Sequence, residues 1–157
     1  MIHVLPTAEE TRALGRVLAS VLRAGDLVVL SGPLGAGKTA FAQGVGAGLG
    51  VRGDVTSPTF VIARVHPGGR VPLVHADAYR LGAAPDPLGE VDALDLDATL
   101  EESVTLVEWG EGLVERLGDE HLEVRIDRRD DESRVVEFVP SGGDWAARLE
   151  ILRLVSR

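Results

Sequence analysis

The chain has no cysteine. Disulfides, zinc–thiolate sites and cysteine nucleophiles are therefore excluded together. It has no asparagine, its only methionine is Met1, and of its 16 basic side chains only Lys38 is a lysine. No apolar run approaches the roughly 18 residues a membrane-spanning helix needs, so no membrane association is expected. The N-terminus has no basic patch followed by an apolar stretch, so no secretory signal is read and a cytoplasmic protein is expected. Positive charge is also scarce, with a net charge of -9. Phosphate contacts dominate nucleic-acid affinity and call for a basic field. Any connection to RNA is therefore expected to be indirect, with a partner making the contacts.

The 157 residues are 45% hydrophobic and 26% charged. This is an ordinary globular balance, long enough for one core and one domain spanning 1–157. Thr7-Ala8-Glu9-Glu10 reads as a capping box opening a helix. Leu14, Val17, Leu18, Val21 and Leu22 follow at helical spacing, and Gly25 is expected to end the helix. Asp26 to Ser31 reads as a buried strand of the parallel-sheet kind. Lys38 to Leu49 has helical length and period. Its Gly44, Gly46 and Gly48 suggest either close packing on the sheet or flexibility. Phe60 to Val65 and Val71 to Ala76 read as a hairpin around Pro67-Gly68-Gly69. Residues 82–100 read as loop plus a short helix, Val104 to Glu108 as a strand and 110–117 as a short helix. A second hairpin is expected from Leu122 to Ile126 and Arg134 to Val139. A closing helix is expected from Asp144 to Val155, with Trp145, Leu149, Leu152 and Leu154 partly inward.

Between the strand ending at Ser31 and the helix starting at Lys38 lies Gly32-Pro33-Leu34-Gly35-Ala36-Gly37-Lys38-Thr39. It matches G-x-x-x-x-G-K-[ST] at every fixed position. Glycines let the backbone come close to phosphate oxygens, and successive N–H groups form an anion-binding nest. The following helix adds the positive end of its dipole. Leu34, Gly35, Ala36, Gly37, Lys38 and Thr39 are thus the expected nucleotide-binding residues. Lys38 would bridge the β- and γ-phosphates of ATP, and the Thr39 hydroxyl would ligate Mg²⁺. Arginine serves wherever only positive charge is needed. The one lysine stands where a compact ammonium on a flexible stem must reach between phosphates.

Such a loop needs a carboxylate near the metal, at the C-terminal end of a neighbouring apolar strand. Asp77 and Glu108 both qualify, and both fall at the sheet edge where α/β ligands bind. With Lys38 they are the expected catalytic residues. Ser57-Pro58-Thr59 reads equally as a segment sensing the γ-phosphate or as an ordinary proline turn. His75 is either a satisfied strand histidine or a residue supporting the ligands. Taken alone, Trp109 reads first as core.

Four blocks in order carry a resemblance to a known family: Gly32 to Thr39, Ser57-Pro58-Thr59-Phe60, His75-Ala76-Asp77-Ala78-Tyr79-Arg80 and Leu106-Val107-Glu108-Trp109. Together they resemble the TsaE (YjeE) family, the ATPase component of bacterial tRNA threonylcarbamoyladenosine synthesis. The resemblance covers nearly the whole chain and implies a P-loop NTPase-like α/β domain with helices flanking a mixed sheet. Antiparallel strands would lie beside the phosphate-loop strand. It implies Thr39 and Glu108 as magnesium ligands, with Asp77 near the γ-phosphate orienting water or sensing the nucleotide. Ser57 and Thr59 would lie in a switch-like loop, and Tyr79, Arg80 and Trp109 join the functional set. It also implies TsaD-like and TsaB-like partners, with tRNA reached only through them. Pro33 stands where the family often has Asp, and residues 80–103 match the family pattern poorly. No arginine is clearly placed as an in-built finger, Arg80 being the nearest, so slow hydrolysis stimulated by partners is expected. The competing readings are a small-molecule kinase and a module that binds ATP without hydrolysing it.

Overall fold

The computed structural model describes residues 2–32, 37–51, 63–66, 68–77, 102–108 and 120–155; of residues 63–66, 76, 77 and 153–155 only the backbone is described. Its strands are β1 (Ile2–Leu5), β2 (Leu27–Ser31), β3 (Ala63–His66), β4 (Leu73–Asp77), β5 (Val104–Glu108), β6 (His121–Arg128) and β7 (Arg134–Ser141). Its helices are α1 (Ala8–Ala19), α2 (Lys38–Leu49) and α3 (Trp145–Val155). The short helices expected within 82–100 and at 110–117 lie outside the described residues.

The strands form one sheet in the order β1-β7-β6-β2-β5-β4-β3. β2 is central and parallel to both β5 and β6, and β4 is parallel to β5. Antiparallel pairing is confined to the flanks: β3 with β4, β6 with β7 and β7 with β1. The mixed sheet is as expected, but the antiparallel strands do not adjoin the phosphate-loop strand. Every residue of β2 and of β5 is buried. That explains why both strands read as unbroken apolar runs rather than as alternating patterns.

Thr7 caps α1, its side chain accepting from the Glu10 backbone N–H at 3.2 Å. The helix ends at Ala19, however, and not at Gly25. Ser20 Oγ donates to the Val17 carbonyl at 2.6 Å, and Val21 and Leu22 follow in tighter i→i−3 turns. These turns keep Leu22 buried after the α-helix has stopped, which prolongs the apparent period. Gly25, at φ 96°, makes the turn into β2 instead. β1 was not foreseen. It is a four-residue edge strand, and its exposed Ile2 and Val4 obscure the inward His3 and Leu5.

Gly44 and Gly48 of α2 do pack closely, but against α1 rather than the sheet. A Cβ on Gly44 would stand 2.0 Å from the Arg12 carbonyl oxygen, and one on Gly48 would stand 2.5 Å from the Ala19 side chain. Gly15 of α1 approaches the Phe41 carbonyl equally closely. The pair covers one face of the sheet. There Leu14, Leu18, Phe41 and Val45 join Val28, Leu30, Leu106, Ile126 and Phe138 in the core. α3 contributes Trp145, Leu149 and Leu152 to that core. Arg148 anchors the helix, reaching Asp26 at 2.6 Å and lying 4.2 Å from the centre of the Trp145 ring.

Candidate functional site

The central strand delivers the chain to the loop, and its last residue is pinned from the side. Ser31 Oγ donates to Glu123 Oε2 at 2.9 Å, while Arg125 Nε donates to the same oxygen at 2.9 Å. Burial works against the charge of Glu123, but these two hydrogen bonds outweigh it and hold the carboxyl below its ordinary value. This brace was invisible in the sequence, because Ser31 and Glu123 are 92 residues apart and no local pattern links them.

Gly32 then turns at φ 138° against β6, where a Cβ would meet the Ile126 carbonyl oxygen at 1.9 Å. Gly37 closes the loop in the left-handed region, at φ 113° and ψ 15°, and is the N-cap of α2. It supplies no side-chain cap to the helix. Lys38 follows at 5% exposure and donates from Nζ to the Gly32 carbonyl at 2.7 Å. The ammonium thus links the last part of the loop to the first.

The strand ends that carry the two candidate acids lie side by side. Parallel pairing sets Asp77 opposite Glu108, and Glu108 opposite Leu30, one row before Ser31 and Gly32. Both therefore end at the carboxyl edge of the parallel strands, beside the start of the loop. The Glu108 side chain is 6% exposed and meets His75 Nε2 through its Oε2 at 2.8 Å. Among the described residues no cluster of three or more His, Cys, Asp or Glu gathers into a metal cage. Magnesium does not require one, since it takes one or two carboxylates and completes its shell with phosphate oxygens and water. A glutamate carboxylate and a threonine hydroxyl are oxygen donors of the kind such a shell takes. Leu34, Gly35, Ala36, Ser57, Thr59, Tyr79, Arg80 and Trp109 lie outside the described residues.

A buried parallel strand, a glycine loop and a helix that starts on lysine and threonine define a P-loop NTPase-like α/β protein. The profile described as "Threonylcarbamoyl adenosine biosynthesis protein TsaE" matches residues 5–136. A tRNA threonylcarbamoyladenosine biosynthesis protein TsaE from Streptomyces coelicolor is 59% identical over 86% of this chain and 93% of its own length. The protein of that name from Bacillus subtilis is 37% identical over 92% of this chain and 88% of its own. A crystal structure of Bacillus subtilis YdiB superposes with a TM-score of 0.84 at 32% identity, covering 100% of this chain and 96% of that one. The chain belongs to the TsaE family of tRNA threonylcarbamoyladenosine biosynthesis proteins. Among the described residues, no helix is long and apolar enough to cross a membrane.

Proposed function

We propose that this chain binds ATP with magnesium at the Gly32–Thr39 loop and hydrolyses it as a switch on a complex of TsaD-like and TsaB-like proteins that modifies tRNA. The observation that supports this reading best is the Lys38–Gly32 closure, with the buried Glu108 at the end of the adjacent strand. In this reading the backbone N–H groups of residues 34–39 hold the phosphates. Lys38 moves its ammonium from the Gly32 carbonyl to the β- and γ-phosphate oxygens. It then stabilises charge developing on the transferring group.

Thr39 and Glu108 would hold magnesium, which when bound neutralises phosphate charge. Asp77 would orient the attacking water or sense the γ-phosphate. Ser57 and Thr59 would respond to that phosphate, and Tyr79, Arg80 and Trp109 would serve the site or its partner contact. The net charge of -9 suits protein partners better than direct tRNA contact.

The test is phosphate release from ATP by the purified chain, with and without a purified TsaD–TsaB pair, scored alongside threonylcarbamoyladenosine in tRNA. Slow release alone and stimulation by the pair are expected. Calorimetry that finds no magnesium–nucleotide binding, either alone or in the complex, would overturn the proposal.

A further inference from the structure

We propose that His75 is the positioning residue for Glu108, holding one carboxylate oxygen so that the other is presented in a fixed direction to magnesium. The proposal rests on the magnesium–nucleotide reading above. A glutamate at this position has one more rotatable bond than an aspartate, so its carboxylate needs an external constraint to keep one orientation. β4 supplies it. His75 pairs with Leu106, two residues before Glu108 on the same face of the adjacent parallel strand. The two side chains therefore lean together along one face. His75 is 0% exposed and Glu108 4% exposed, and Nε2 lies 2.8 Å from Oε2.

An ionised carboxylate only accepts hydrogen bonds, so the imidazole donates from Nε2. Nδ1 is buried and has no hydrogen-bond partner among the described residues. Leaving that nitrogen unpaired is a cost that an apolar side chain would avoid. What the imidazole adds in return is the bond to Glu108. Glu108 Oε1 has no protein partner among the described residues, and it is the oxygen left for a cation. Groups behind a metal ligand act in this way, orienting the ligand without touching the metal.

The experiment measures the affinity of the full chain for a non-hydrolysable ATP analogue by calorimetry, with magnesium chloride and with EDTA. The magnesium gain is the ratio of the two dissociation constants. His75→Leu is expected to lower that gain roughly 10-fold while the EDTA affinity stays within about twofold, as for other groups behind metal ligands. His75→Gln places an amide N–H near the position of Nε2 and is expected to restore the gain. Should His75→Leu fail to fold, His75→Asn is the second variant. Its shorter amide falls short of Glu108, so loss in Asn with retention in Gln is expected.

A folded His75→Leu chain with the full gain would overturn the proposal. So would equal losses with magnesium and with EDTA, or equal gains in the Asn and Gln variants. A wild-type chain with no magnesium gain would instead refute the underlying nucleotide reading, and this proposal with it.

Discussion

Gly32 lies so close to Ile126 that a Cβ on the glycine would stand 1.9 Å from the isoleucine carbonyl oxygen. Its φ of 138° is also one that side chains rarely adopt. Space and backbone conformation both demand glycine here. Gly32→Ala is expected to cost at least about 2 kcal/mol from strain and overpacking together, read as a lower urea midpoint. An unchanged midpoint would contradict the tight seam between the loop and β6.

Lys38 is the lone lysine in a chain that otherwise uses arginine, and its side chain is buried against the loop. Lys38→Arg keeps the charge but brings a planar, bulkier head into that space. Both Lys38→Arg and Lys38→Ala are expected to lower partner-stimulated ATP hydrolysis on the order of 100-fold. Near-normal turnover in the arginine variant would show that charge alone suffices.

Gly44→Ala sets two effects against each other. Alanine favours the helix by roughly 1 kcal/mol. Its methyl, however, would sit 2.0 Å from the Arg12 backbone, which no rotamer change relieves. Overpacking of this kind costs about 1–3 kcal/mol and should win. Gly50→Ala has open space around it and pays only for its left-handed conformation, so it should destabilise less. Thermal unfolding of the two variants tests that order.

Arg148 meets Asp26 where both side chains are largely buried, at 10% and 6% exposure. Arg148→Met leaves the Asp26 charge without its guanidinium, and a loss of about 3 kcal/mol is expected. Adding Asp26→Asn removes the stranded charge while keeping an acceptor for the Arg23 N–H. The double variant should therefore be more stable than Arg148→Met alone in urea unfolding.

Asp144 accepts from Arg148, and that hydrogen bond is the main reason its carboxyl is held below its ordinary value. A depressed folded value means the contribution is complete above the unfolded value of about 3.9. It is then lost as pH falls through the lower folded value. The urea midpoint of wild type should exceed that of Asp144→Asn at neutral pH, and the two should converge in acid. A constant gap across the titration would contradict this.

Much of the site could be read from the residues because its determinants are local. The strand, the glycines, Lys38 and Thr39 lie within one short stretch, and the Thr7 cap needs only its own helix. The Pro67-Gly68-Gly69 turn likewise announced the β3–β4 pair, which is antiparallel as expected. Helix α1 was read too long because buried 3₁₀-type turns and an α-helix share nearly the same spacing of apolar residues.

Local chemistry therefore set where phosphate could be held and which acids were candidates. The chain could not choose between Asp77 and Glu108, nor say what His75 does, from spacing alone. Which of these residues lie side by side depends on strand order. With β5 beside β2 and β4 beside β5, Glu108 and Asp77 share one row, and His75 reaches Glu108 from 33 residues away. The same holds for Ile126 beneath Gly32 and for Arg12 against Gly44. Contacts between distant segments arise from the packing of whole elements, and no short window of sequence encodes them.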